Sequence, residues 1–353
     1  MKTKIKMVAG LAGAVLAFAG SQAMAAEKVI IAIGTSVFDA SQANNTSYPI
    51  FSKCWEKEGL NVELQPTSST AAMQAVLSGQ AQMVNMGPAA GVIARGKGAP
   101  LTAVYVNMRK NFQFPVVLES SPIKTIADFK GKTMGVFSYG AQMVKVFRGM
   151  ASEAGLNPDK DLNIVETGVG AQAITALQTG RVDIWGTWDS QIATAENAGL
   201  KLRRFTTPAA EKLTWGGSYF VRDDYVKSNP QAIEKTLRCI AQGSVAAIAN
   251  PQGAVKAHWQ VYPATKPSGI EESKAFEQAL HLLNTRIEFL KLNPGERWGE
   301  FPHEMVAETV KFMRETGELQ ADIDPRTLYT NQFVEGINRF DAKAVEAAAK
   351  AIK

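Results

Sequence analysis

Hydrophobic and polar positions change period repeatedly along this chain. Val29 to Ile33 is a short, unbroken apolar run ending at Gly34, and reads as a strand buried on both faces. Tyr48 to Glu58 has helical spacing and is closed by Gly59. Asn61 to Gln65 alternates as a strand, and Ala71 to Ser78 puts Met73, Val76 and Leu77 on one helical face before Gly79. Met83 to Asn85 is a short strand followed by Gly87-Pro88. A second unit starts at Pro115. It predicts strands over Val116–Leu118, Thr133–Phe137, Asn163–Glu166 and Val182–Trp185, with a helical turn at Ile126–Phe129 and helices over Gln142–Ala154 and Ala171–Gln178. Strand and helix in alternation imply an α/β fold with mostly parallel sheets. Beyond Asn229 the spacing is mainly helical, over Gln231–Ala249, Gln252–Tyr262, Glu271–Leu290, His303–Thr316 and Asn331–Arg339.

A weak internal repeat organises this pattern. Residues 70–88 align with residues 171–189 at a fixed offset, each reading helix, glycine (Gly79 or Gly180), strand and turn. The spacing is far too long for a solenoid and suits two similar α/β units around one cleft.

The first residues read as a secretory leader. Lys2, Lys4 and Lys6 precede an uncharged apolar stretch from Met7 to Gly20, too short for a membrane span, and Ala23-Met24-Ala25 is a small-x-small cleavage site. The expected signal peptide is 1–25, with the mature chain in the periplasm and not inserted in a membrane. Losing the three lysines lowers the formal charge from +5 to +2. No basic block or aromatic-basic stripe supports nucleic-acid binding. Cys54 and Cys239 could pair in an oxidising compartment, although each lies in a helical stretch, and two separate buried thiols are the favoured reading. His258, His281 and His303 have no metal-ligand spacing, so neither a metal nor a cofactor is expected.

Three catalytic motifs nearly form. Gly131-Lys132-Thr133 lacks the earlier P-loop glycine, since position 126 is Ile126. Gly135 to Gly140 has Val136 where a nucleophile elbow needs glycine. Gly168-Val169-Gly170-Ala171-Gln172-Ala173 has dinucleotide spacing but comes late in the chain, and reads as a tightly packed start of a helix. No catalytic residue is assigned. What remains is a set of polar turns that follow strands and open helices: Thr35 to Asp39, Ser68-Ser69-Thr70, and Ser138-Tyr139-Gly140. Helix starts offer free N–H groups and partial positive charge, each worth roughly 0.3–1 kcal/mol to an anion. Several converging starts plus apolar contact could reach micromolar affinity, about −8 kcal/mol. Trp188 at a strand exit and Trp215 beside Gly216-Gly217 are candidate pocket walls, and Asp189 is a candidate acceptor for a ligand amine or a helix cap.

These residues carry a resemblance to the periplasmic binding proteins for nitrate, sulfonate and taurine, within the wider group that includes thiamine-precursor binding proteins. The similar segments are Thr35 to Asp39, Ser68 to Thr70, Leu77 to Met83, Ser121-Pro122-Ile123-Lys124 through Lys132, and Trp185 to Asp189. The resemblance implies a type II periplasmic-binding-protein fold: two α/β lobes joined by a two-crossing hinge, with a helical C-terminal part. Lobe 1 would be 27–114 plus 215–353 and lobe 2 would be 115–214, hinged near Arg109–Pro115 and Thr206–Gly217. The family's binding positions fall on Val37, Phe38, Ser69, Thr70, Gly87, Ser138, Tyr139, Trp188 and Asp189. The implied role is the solute-binding component of an ABC importer: a monomer, not an enzyme, that presents a small organic anion, an aliphatic sulfonate or taurine-like molecule, to a membrane permease. A thiamine-precursor pyrimidine, an aromatic acid or nitrate are the alternative ligands, and a sensor is the alternative partner. Asp39 departs from a simple anion site and favours a ligand with an amine or an apolar body.

Overall fold

A computed structural model describes residues 26–35 and 38–353. The expected signal peptide and Val37 lie outside the described residues. Among these described residues, ten strands form two five-stranded sheets. They are β1 Glu27–Ile33, β2 Leu60–Pro66, β3 Met83–Met86, β4 Leu101–Met108, β5 Gln113–Leu118, β6 Lys132–Val136, β7 Leu162–Glu166, β8 Ile184–Trp188, β9 Leu202–Arg204 and β10 Gly217–Arg222. The sheets have the orders β2-β1-β3-β10-β4 and β7-β6-β8-β5-β9.

The two orders are one topology used twice. In each sheet a central strand pairs in parallel with two neighbours: β1 with β2 and β3, and β6 with β7 and β8. One antiparallel strand is then inserted, β10 between β3 and β4, or β5 between β8 and β9. The sheets are therefore mixed, where mostly parallel ones were expected. The inserted strand in each case adjoins a crossing between the sheets, so it enters against the prevailing direction. The 101-residue repeat maps onto equivalent places, with the Ser69–Leu77 helix and β3 in one sheet and the Ala171–Gln178 helix and β8 in the other.

Burial follows position in the sheet. Val29, Ile31, Ala32 and Ile33 of β1 are 0–2% exposed, as a central strand covered on both faces requires. The edge strands β2 and β7 instead mix exposed and part-buried residues. The chain crosses between sheets twice, and the crossings run side by side. Gly216 N–H donates to the Met108 carbonyl at 2.8 Å and Asn111 N–H to that of Leu213 at 2.9 Å. A Cβ on Gly216 would stand 2.0 Å from the Lys110 carbonyl oxygen, so only glycine permits this approach.

The C-terminal third is helical over Pro230–Ala249, Pro251–Val261, Glu272–Leu290, His303–Glu315 and Ala342–Lys350. Its first helix covers the first sheet through Ile233, Leu237 and Ile240. Cys54 and Cys239 are joined in a disulfide with Cα atoms 5.7 Å apart, which corrects the expectation of separate thiols. The helix expected over Tyr48–Glu58 is two pieces, Ser47–Phe51 and Cys54–Lys57, broken at Lys53 in the left-handed region (φ 54°). The second piece is held to the Pro230–Ala249 helix by the disulfide and by Trp55 Nε1–H donating to the Thr236 carbonyl at 3.1 Å. Asn331–Arg339 is helical only over Val334–Ile337. Asn331 and Asn338 spend their side chains on the backbones of Phe301 and Trp298 instead. The pattern missed the Pro88–Gly96 and Asp189–Asn197 helices and β4, whose near-continuous burial leaves no alternation to read.

Candidate functional site

In open α/β sheets, ligands bind outside the carboxyl ends of the strands, where the strand order reverses. Here the ends of β1, β3, β6 and β8 face one cleft between the two sheets, through Thr35, Met86, Phe137 and Trp188. Four α-helices begin at its wall. They are Ser69–Leu77, Pro88–Gly96, Gln142–Glu153 and Asp189–Asn197, and their first residues or caps Ser69, Gly87, Ala141, Gln142 and Trp188 line the cleft. Two helices come from each half. Their amides are partly committed: Ser68 Oγ accepts from Ala71 N–H at 3.3 Å, and Gln142 Oε1 accepts from Ala89 N–H at 3.2 Å across the cleft.

Of the residues singled out in the sequence, Asp39, Ser69, Gly87 and Trp188 lie together on the cleft wall. Asp39 caps a 3-10 turn over Ala40–Gln42, and its Oδ1 accepts from the Ser41 amide at 2.9 Å and hydroxyl at 2.5 Å. Its Oδ2 accepts from Ser190 Oγ at 3.4 Å, and Ser190 Oγ accepts from Trp188 Nε1–H at 3.0 Å, so a short relay joins the two halves. Trp188 also meets Phe137 edge-to-face with ring centroids 5.8 Å apart.

The other positions sit elsewhere. Phe38 packs on Tyr262 at 5.4 Å. Thr70 is exposed and presses on Gly140, where the halves meet. Tyr139 is 56% exposed, with its N–H on Glu166 Oε1 at 2.8 Å. Ser138 is buried, three residues before the next helix's cap rather than at its start, and its hydroxyl has no partner among the described residues. Trp215 is a core residue stacked on Phe220, with Nε1–H donating to Ser218 Oγ at 2.5 Å. Asp189 is fully buried behind the wall and grips an arginine.

That arginine, Arg286, is the main residue sequence reasoning missed. Its Nε donates to Asp189 Oδ2 at 2.7 Å and its Nη2 to Oδ1 at 2.5 Å. The guanidinium lies over the Phe112 ring, 5.0 Å from the centroid. Burial works against its charge, but Asp189 and, more distantly, Asp39 outweigh burial and hold Arg286 more basic than an ordinary guanidinium. A signal was present: Arg286 sits among Leu283, Ile287 and Leu290, the apolar stripe of its own helix, where a charge needs a buried partner. Asn85, Gln113 and Gln142 also line the cleft, and Gln113 Oε1 is buried without a partner among the described residues.

A family model described as NMT1/THI5 like matches residues 54–254. A riboflavin-binding protein, RibY, of Chloroflexus aurantiacus is 22% identical over 256 residues, 69% of this chain and 68% of that protein. The solved periplasmic aliphatic sulphonate binding protein SsuA of Escherichia coli superposes with a TM-score of 0.64 at 18% identity, covering 86% of this chain and 92% of SsuA. The desulfurization enzyme DSZB gives a TM-score of 0.57 at 12% identity, covering 88% and 98%. At these identities the solved structures establish a shared periplasmic-binding-protein fold.

Proposed function

The chain belongs to the NMT1/THI5-like family, and from that premise we propose that it is an exported solute-binding protein that captures a small organic anion, of the aliphatic sulfonate or taurine-like kind, for an ABC-type permease. The observation that carries this reading is the convergence of four helix starts, two from each half, on one cleft. Their aligned amides favour a negative group without a dedicated lysine. Phe112, Phe137, Met143 and Trp188 supply apolar wall for the rest of the solute. The division into lobes 27–114 plus 215–353 and 115–214, hinged at the paired crossings, belongs to the same proposal. Ligand would bridge the halves and shift the equilibrium toward the closed form that a permease recognises.

Binding is favoured over catalysis because the similar proteins RibY and SsuA are described as binding proteins. A second ligand class has its own support. The carboxamides of Asn85, Gln113 and Gln142 beside aromatic edges suit the hydrogen-bonding rim of a flat heterocycle such as a thiamine-precursor pyrimidine. Calorimetry of the leaderless protein against alkanesulfonates, carboxylates, nitrate and pyrimidines tests both. Micromolar binding of a sulfonate is expected. Binding confined to the pyrimidines would replace the anion reading, and a silent panel would remove it.

A further inference from the structure

We infer that Arg286 is the charged anchor for the ligand's anionic group, acting through its Nη1 nitrogen, and that Asp189 is a positioning residue behind it. The inference rests on the organic-anion reading above and assigns the charge recognition in that site.

Among the described residues lining the cleft, Arg286 is the one cation. It is 6% exposed and enters from the Glu272–Leu290 helix, outside every segment that resembles the family. The Asp189 fork consumes Nε and Nη2, whereas Nη1 has no hydrogen bond to any described residue. The Phe112 face below and the carboxylate behind fix the plane of the guanidinium. A planar donor pre-set in this way loses little freedom when it meets an anion, and charge-assisted bonds in a dry site are about twice as strong as neutral ones. Asp189 keeps the buried arginine soluble in its surroundings without using its last donor.

Asp39 is the second charge on the wall. It influences Arg286 electrostatically but forms no ion pair with it, the guanidinium being committed to Asp189. An anion on Nη1 would feel Asp39 as an opposing charge, and an ammonium or amide on the same ligand would find there a favourable acceptor. The two charges therefore make opposite predictions. Arg286 raises affinity for any anion, and Asp39 lowers it unless the ligand carries a donor.

Calorimetry with ethanesulfonate, its uncharged isostere ethanesulfonamide, and 2-aminoethanesulfonate tests this. The wild-type protein should prefer ethanesulfonate over ethanesulfonamide at least tenfold. Arg286→Gln with Asp189→Asn removes both buried charges together, so the fold is not left with an unpaired ion, and should erase that preference. Asp39→Asn keeps the cap and should tighten ethanesulfonate about threefold or more while weakening 2-aminoethanesulfonate. A wild-type protein indifferent to the charge, or a double variant that retains the preference, overturns the role of Arg286 and leaves anion capture to the helix starts. If no sulfonate binds the wild-type protein, the organic-anion reading fails and this inference fails with it.

Discussion

The two halves of this molecule share a strand order and differ in almost everything attached to it. The first sheet contributes Asp39, Ser69 and Asn85 to the cleft, and the second contributes Phe137, Met143 and Trp188. The first half supplies the carboxylate and the second half the aromatic rings Phe137 and Trp188, while both supply carboxamides, Asn85 from one and Gln113 and Gln142 from the other, on backbones related by a 101-residue offset. The first half is also braced by the Cys54–Cys239 disulfide and by the helix carrying Cys239, and the second has no disulfide. Topology sets where strands end, and therefore where a ligand can sit. Side chains at those ends are free to diverge, so a repeat reveals a scaffold without revealing its chemistry.

The largest expected effect comes from breaking the buried Arg286–Asp189 charge pair at the cleft wall. Asp189→Ala leaves the Arg286 guanidinium buried without its carboxylate, which should cost about 3–5 kcal/mol. Urea denaturation measures it. A loss below about 1 kcal/mol would mean that the site rehydrates easily and that the halves are not joined here.

Opening the disulfide sharpens the contrast in bracing. Cys54→Ala with Cys239→Ala frees a chain segment of 185 residues and should cost about 2–5 kcal/mol, with ligand affinity unchanged because neither cysteine lines the cleft. An affinity change as large as the stability change would show that the brace reaches the site.

Acid should also act on the first half. His258, in the Pro251–Val261 helix, is fully buried with Nδ1 3.0 Å from Ser47 Oγ, and burial pushes its pKa down to about 4. The unfolded chain takes up its proton near pH 6.5, so the stabilising contribution is complete above that value and declines as pH falls toward 4. The decline should approach about 3 kcal/mol, and His258→Gln should flatten it. A stability profile between pH 7 and pH 4 that is the same in both proteins would sink this assignment.

Much of the scaffold was legible in the residues alone. The Ala171–Gln178 helix has the bounds its periodicity predicts, and β1, β6 and the long C-terminal helices differ by only a residue or two at most ends. The candidate site was legible only in part. Strand-end positions pointed to Asp39, Ser69 and Trp188, because the position of a strand end is a local property, whereas Gly87 came from the family resemblance alone. Trp215 read like a pocket wall for the same local reasons, being an aromatic beside glycines, yet its ring is stacked in the core.

The order of apolar and polar residues was enough to establish alternating strands and helices, a doubled α/β plan and a helical final third, because each depends on neighbours within a turn or a strand. It could not decide that Arg286 meets Asp189 ninety-seven positions away, that Cys54 reaches Cys239, or that the inserted strands run antiparallel. Those outcomes depend on how distant helices and crossings pack around the sheets. Burial then compels a stranded charge to find its opposite, and that requirement appears only once the chain has closed on itself.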